Sequence, residues 1–119
     1  MDVSARLTEL AKLRGTRETP VVSVYLNTRW GDEHQRDRVR VFLKNEIRKT
    51  RRAATAGGIA ADLDWIQDEG DALITQSRFP EAHGVALFAC RALGLRDIIP
   101  VRVPFESAFV VAEAPYLSP

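Results

Sequence analysis

The sequence predicts a small α/β fold, with α+β still open: one mixed sheet of about four strands flanked by helices. Three observations predict it. Short β-rich runs are apolar on both alternations, the pattern of strands covered on two faces. Two long segments of helical period lie between the first and second of these runs, so a helical hairpin must cross there. The order is then helix, strand, two helices and three strands, with no internal repeat and no low-complexity segment.

Each element has a local reason. In residues 3–14, Val3, Leu7, Leu10 and Ala11 share one helical face; Gly15 offers a C-cap and Pro20 follows, so the helix should stop near Arg14. Val21, Val22, Val24, Tyr25 and Leu26 form a central strand interrupted only by Ser23, and Asn27 to Glu33 is a polar loop. The second helix spans about Arg36 to Ala54. Val39, Phe42, Leu43, Ile47, Thr50, Ala53 and Ala54 fall in one apolar sector, and Val41 stands exposed among arginines. Gly57 and Gly58 form a flexible connection.

The third helix starts near Asp62, which can cap it, and runs to about Ser77. Its core stripe is Leu63, Ile66, Gly70, Leu73 and Ile74, with Gly70 placed for a close approach. Gly84 to Cys90 reads as a buried strand. Ile98, Ile99, Val101 and Val103 suggest an edge or irregular strand bracketed by Pro100 and Pro104. Ala108 to Ala112 reads as the last strand.

Length and composition narrow the class. The 119 residues make one domain, long enough to bury a core without staples. Apolar residues at 45% and charged residues at 28% exclude a disordered tail, a collagen or a coiled-coil rod. No apolar run approaches the ~18 to 20 residues of a membrane span, and the N-terminus lacks a signal pattern. The single cysteine, Cys90, excludes an intrachain disulfide and a Cys-based zinc finger, so a cytoplasmic protein is expected.

Charge is balanced in total, at a net +1, but polarised along the chain. Residues 36–52 carry eight basic side chains against Asp37 and Glu46, whereas residues 53–77 carry five acidic ones and no Lys or Arg. Arg40, Lys44, Arg48, Arg51 and Arg52 fall opposite the apolar sector of the second helix, with Arg38 and Lys49 nearer its edge. A cationic row of this kind can track phosphates. It can equally be solvated, or paired to the acidic third helix across the hairpin, and both readings stay open here. Trp30 and Tyr25 lie nearby and could stack on bases, or serve as core or lid residues.

Signatures of catalysis are few. There is no Gly-x-Gly-x-x-Gly, phosphate loop, Gly-x-Ser-x-Gly or His-Glu-x-x-His. His34 and His83 sit in separate polar loops and could join Cys90 in a metal or nucleophile site only if the fold converged them. The simpler reading is two surface histidines and a buried cysteine. Asp64 with Asp68 and Asp68 with Asp71 have helical spacing, but a solvated face explains them without a cleft. Gly57-Gly58 could form a backbone anion nest or a plain hinge. No cofactor and no metal is expected.

Several phrases occur in a recognisable order. Val-Val-Ser-Val-Tyr-Leu-Asn-Thr (21–28) precedes a long helix containing Phe-Leu-Lys-Asn-Glu-Ile (42–47). Gly-Val-Ala-Leu-Phe-Ala (84–89) follows, and the chain exits through Ala-Pro-Tyr-Leu-Ser-Pro (114–119). From about Leu7 to Pro119 this resembles the N-terminal domain of the bacterial and archaeal release-factor-like (baeRF) proteins, relatives of class-1 release factors and Pelota. The resemblance implies a four-stranded sheet flanked by helices, a domain that in relatives enters the small-subunit decoding site, and further domains after Pro119. The Gly-Gly-Gln of peptidyl-tRNA hydrolysis belongs to the next domain in the family; Gly57-Gly58-Ile59 is no substitute.

The departures are specific. Where stop-codon readers carry Asn-Ile-Lys-Ser, residues 54–60 read Ala-Thr-Ala-Gly-Gly-Ile-Ala. Where they carry Tyr-x-Cys-x-x-x-Phe, the chain reads Phe-Val-Val-Ala-Glu-Ala-Pro. The expectation is therefore a non-catalytic module that binds the ribosome or ribosomal RNA without decoding stop codons. Arg40, Lys44, Arg48, Arg51 and Arg52 would supply the contacts, with Lys49 peripheral. A protein–protein or homodimer module is the first rival and a small hydrolase using His34 and His83 the second; no membrane partner is expected.

Overall fold

Val21 to Leu26 is a run of six consecutive buried residues and Gly84 to Cys90 one of seven. Runs buried on both alternations must lie at the centre of a sheet with cover above and below. The computed structural model, which describes residues 3–53, 57–76, 78–104 and 106–117, places them there. The elements are α1 (Val3–Ala11), β1 (Val21–Asn27), α2 (Glu33–Ala53), a 3-10 turn (Gly57–Ile59) and α3 (Ala60–Gln76). β2 (Gly84–Cys90), a second 3-10 turn (Arg91–Leu93), β3 (Leu95–Val101) and β4 (Ala108–Ala112) follow. The sheet order is β3-β2-β1-β4.

The architecture is the expected one of helices and a four-stranded sheet, but every strand pair is antiparallel where a mixed sheet was anticipated. The reason lies in the crossover. One helix between two strands returns the chain for a parallel neighbour; two helices folded back on each other, meeting at Arg51 with Asp64 near the bend and at Leu43 with Gly70 further along, do not. β2 therefore enters opposite to β1.

Alternation divides the core in two. Val22, Val24 and Leu26 of β1 and Val85, Leu87 and Ala89 of β2 face the hairpin, against Val39, Leu43 and Ile47 of α2 and Leu63, Ile66, Leu73 and Ile74 of α3. Tyr25, Ala86, Phe88 and Ile99 face the other way, under Leu10 of α1 and the chain end at Tyr116 and Leu117. Tyr25 lies directly opposite Ala86 and Ala108, its ring edge-on to Phe88 and to Tyr116 at 5.9 Å each. Its hydroxyl donates to the Tyr116 carbonyl, while the Tyr116 N–H donates to Ser23 Oγ at 3.0 Å. The Gly15 N–H donates to the Glu113 carbonyl at 2.6 Å, and Arg6 pairs with Asp97. These bonds satisfy polar groups that the second core would otherwise bury unpaired.

Several boundaries and roles differ from expectation. α1 ends at Ala11, three residues before Arg14, and tightens through Lys12 N–H to Glu9 and Leu13 N–H to Leu10. Gly15 is therefore no helix cap but a tie to Glu113. α2 starts earlier, at Glu33, because Asp32 caps it, accepting the Gln35 N–H at 2.9 Å. Ala53 is exposed, outside the apolar sector expected for it, and Ala54 lies beyond the described residues, as do Ser77, Ser118 and Pro119.

Asp62 does not cap α3. It is the helix's third residue and is 1% exposed, accepting the Arg91 N–H at 3.1 Å and pairing with Arg96. A carboxylate this deeply buried needs such partners, and they tie α3 to the β2–β3 turn. Gly57 and Gly58 lie in the 3-10 turn, and a Cβ at Gly58 would lie 2.7 Å from the Glu18 carbonyl oxygen, so glycine permits the turn to pack there. β3 begins at Leu95 and contains Pro100, which an edge strand tolerates because its outer side needs no ladder donor. Val103 lies outside it, 69% exposed.

Candidate nucleic-acid interface

The cationic face belongs to α2, a 21-residue helix whose Val39, Leu43 and Ile47 are drawn into the core. That burial fixes the rotation of the helix and turns the opposite side to solvent. Of the six cations singled out in sequence, three are engaged. Arg40 is half-buried and pairs with Asp37, Lys49 reaches Glu46 at 3.3 Å, and Arg51 bonds Asp64 across the hairpin at 2.5 Å. Arg51 with Asp64 is the one α2–α3 ion pair among the described residues, so charge pairing between the two helices accounts for one basic residue.

Lys44, Arg48 and Arg52 are exposed and have no carboxylate within ion-pair distance among the described residues. Each stands four positions after the last, so their Cα atoms rise by ~6 Å per step along one line of the helix. Arg38 is exposed and likewise without an ion pair among the described residues; Val41, 52% exposed, lies between these cations. Part of the pattern is structural: Arg51 and Arg52 occupy the last turn, where cations offset the negative end of the helix dipole. Lys44 and Arg48 are mid-helix and have no such role.

The aromatic candidates divide. Tyr25 is buried and bonded, unavailable for stacking on a base. Trp30 is half-buried against the main core, with the Arg36 guanidinium 5.0 Å from its ring centre. His34 is exposed in the first turn of α2, and His83 is half-buried just before β2. Cys90 is fully buried, its thiol 3.5 Å from the Thr19 carbonyl. Among the described residues no three His, Cys, Asp or Glu side chains gather into a cluster that could hold a metal. Asp68 and Asp71 are exposed, and Asp64 is taken up by Arg51.

One group of residues was not visible in sequence. Folding brings Arg29, Trp30 and Arg36, from the β1–α2 connection and the start of α2, beside His83 of the α3–β2 loop. Trp30 flanked by arginines was a faint signal, but His83 lies some fifty residues on and only the antiparallel return of β2 delivers it. No helix among the described residues is long and apolar enough to cross a membrane. No protein-family model matches the chain, and no curated protein sequence matches it.

Proposed function

We propose that this chain is a non-catalytic RNA-binding module, the N-terminal domain of a cytoplasmic release-factor-like protein that docks on ribosomal RNA without reading stop codons. The observation that carries the reading is the solvent-facing line of Lys44, Arg48 and Arg52, free of carboxylate partners among the described residues. Exposed ion pairs contribute only ~0 to 1 kcal/mol, so folding has little use for such a line. A polyanion does, because each phosphate it neutralises releases counterions. The order of phrases shared with release-factor-like proteins supports a ribosomal target. The absence from this sequence of the two codon-reading motifs supports a role other than decoding.

The test is a charge reversal, Lys44→Glu, Arg48→Glu and Arg52→Glu together, compared with the same change at Arg40, Lys49 and Arg51. Binding to purified ribosomes or a ribosomal RNA fragment is measured as a function of salt. With three phosphates engaged, log K falls against log salt with a slope of roughly −2 to −3. The first variant is expected to lose affinity by on the order of tenfold or more, and the second to lose less. A first variant that keeps its circular dichroism and its ribosome affinity overturns the reading.

A second reading has one observation in its favour. The outer edge of β4 has no strand beside it among the described residues, holds no charged residue over Ala108–Ala112, and exposes Val111. A sedimentation mass that climbs with concentration and ignores added RNA would favour self-association through that edge.

A further inference from the structure

We infer that the cleft between the β1–α2 connection and the α3–β2 loop binds the phosphate end of a nucleotide. The cleft encloses about 460 Å³, within the range of small-ligand sites. It is independent of the outward face of α2. Its polar walls come from Thr28, Arg29, Trp30, Arg36 and His83, with Phe79 as an apolar side, and no carboxylate is among its described lining residues.

The frame is already built. The Thr28 N–H donates to the His83 carbonyl at 3.1 Å, and its hydroxyl to the Ala82 carbonyl at 3.3 Å, which staples the two loops together. Asn27 Oδ1 accepts the Arg29 N–H at 2.8 Å, and Gln35 Oε1 accepts the Gly31 N–H at 2.6 Å. A preorganised backbone lowers the entropy that a ligand must overcome.

The chemistry of the walls selects the ligand. Two guanidinium groups, an indole N–H and an imidazole offer donors and positive charge, so the complement is a compact anion rich in acceptors. Arg36 pairs with Glu33 at 3.2 Å, an exposed neighbour from the same helical turn, and such exposed pairs are weak. The indole nitrogen of Trp30 is buried with no hydrogen-bond partner among the described residues. A buried donor left so is destabilising, and a ligand oxygen would satisfy it once the side chains over the ring, Arg36 among them, shift to admit it. Phe79 offers apolar surface to a base. A phosphate carried on a nucleoside matches both halves.

Two sources share this chemistry, a free mononucleotide and the 5′-phosphorylated end of an RNA strand. The experiment is an NMR titration of the intact, nitrogen-labelled chain, followed at the Trp30 indole N–H and identified by its loss in Trp30→Phe. The probes are AMP, adenosine, and a short RNA with and without its 5′ phosphate. The expected result is a saturating shift with AMP or the phosphorylated RNA, weakened tenfold or more by Arg29→Glu and by His83→Ala. Whichever of the two binds more tightly identifies the source. The Lys44, Arg48 and Arg52 reversal should leave AMP affinity unchanged, so this site and the α2 surface fail separately. No shift at millimolar AMP or phosphorylated RNA, an equal response to adenosine, or full affinity in Arg29→Glu overturns the inference.

Discussion

Tyr25 shows how one side chain can record its surroundings. Burial, reinforced by the neighbouring Tyr116, pushes its phenol from 10.0 up to about 12. The folded state therefore favours the protonated form. Its contribution is intact below pH 10, where the unfolded chain is also protonated, and is lost as pH rises from about 10 to about 12. Urea melts across that window should show wild type losing stability more steeply than Tyr25→Phe. Parallel slopes would mean the phenol is not held as described. Asp62 is a buried carboxylate, bonded by the Arg91 N–H and paired with Arg96. Removing one member of a buried pair typically costs 3–5 kcal/mol. Because Arg96 remains 33% exposed, Asp62→Ala should cost about 3 kcal/mol, the low end of that range, in chemical denaturation.

Between the two helices of the hairpin, Gly70 sets the closeness of approach. A Cβ there would collide with Leu43 Cδ2, and Leu26 lies just beyond. Gly70→Ala gains helix propensity of up to ~1 kcal/mol but overpacks the seam, at a typical cost of 1–3 kcal/mol. The net expectation is a destabilisation of about 1 kcal/mol, relieved when Leu43 is shortened to Val in the same chain. Additive losses in that double variant would place the strain elsewhere. The same packing turns α2 so that Leu43 points inward and Lys44 outward, so an error in the seam would also misplace the cationic line.

Across the molecule, stability should follow sheet order. β1 and β2 are paired on both sides and covered on both faces, whereas β3 and β4 are each paired on one edge only among the described residues. Native-state hydrogen exchange should therefore find the slowest amides in β1 and β2, near the global unfolding free energy, and faster exchange at outward-facing amides of β4. Uniform protection across all four strands would indicate a partner strand on the β4 edge. Such a result would bear directly on self-association.

Strand and helix identities were legible in the residues because burial imposes period. The runs at 21–26, 84–90 and 108–112 and the stripe Leu63, Ile66, Gly70, Leu73 and Ile74 all appear where periodicity puts them. The basic face of α2 was legible for the same reason, since an amphipathic helix declares its outward side. Long-range pairing was not. That Asp62 would be buried beneath Arg96, that Arg51 but not Arg48 would find a carboxylate, and that His83 would join Arg29 beside Trp30 all depend on which distant segments the sheet brings together. Local pattern reports how each segment meets water. Which charges neutralise one another, and which are left for a ligand, depends on contacts between residues far apart in the chain, where a shift of a few ångströms separates a bonded pair from two solvated ions.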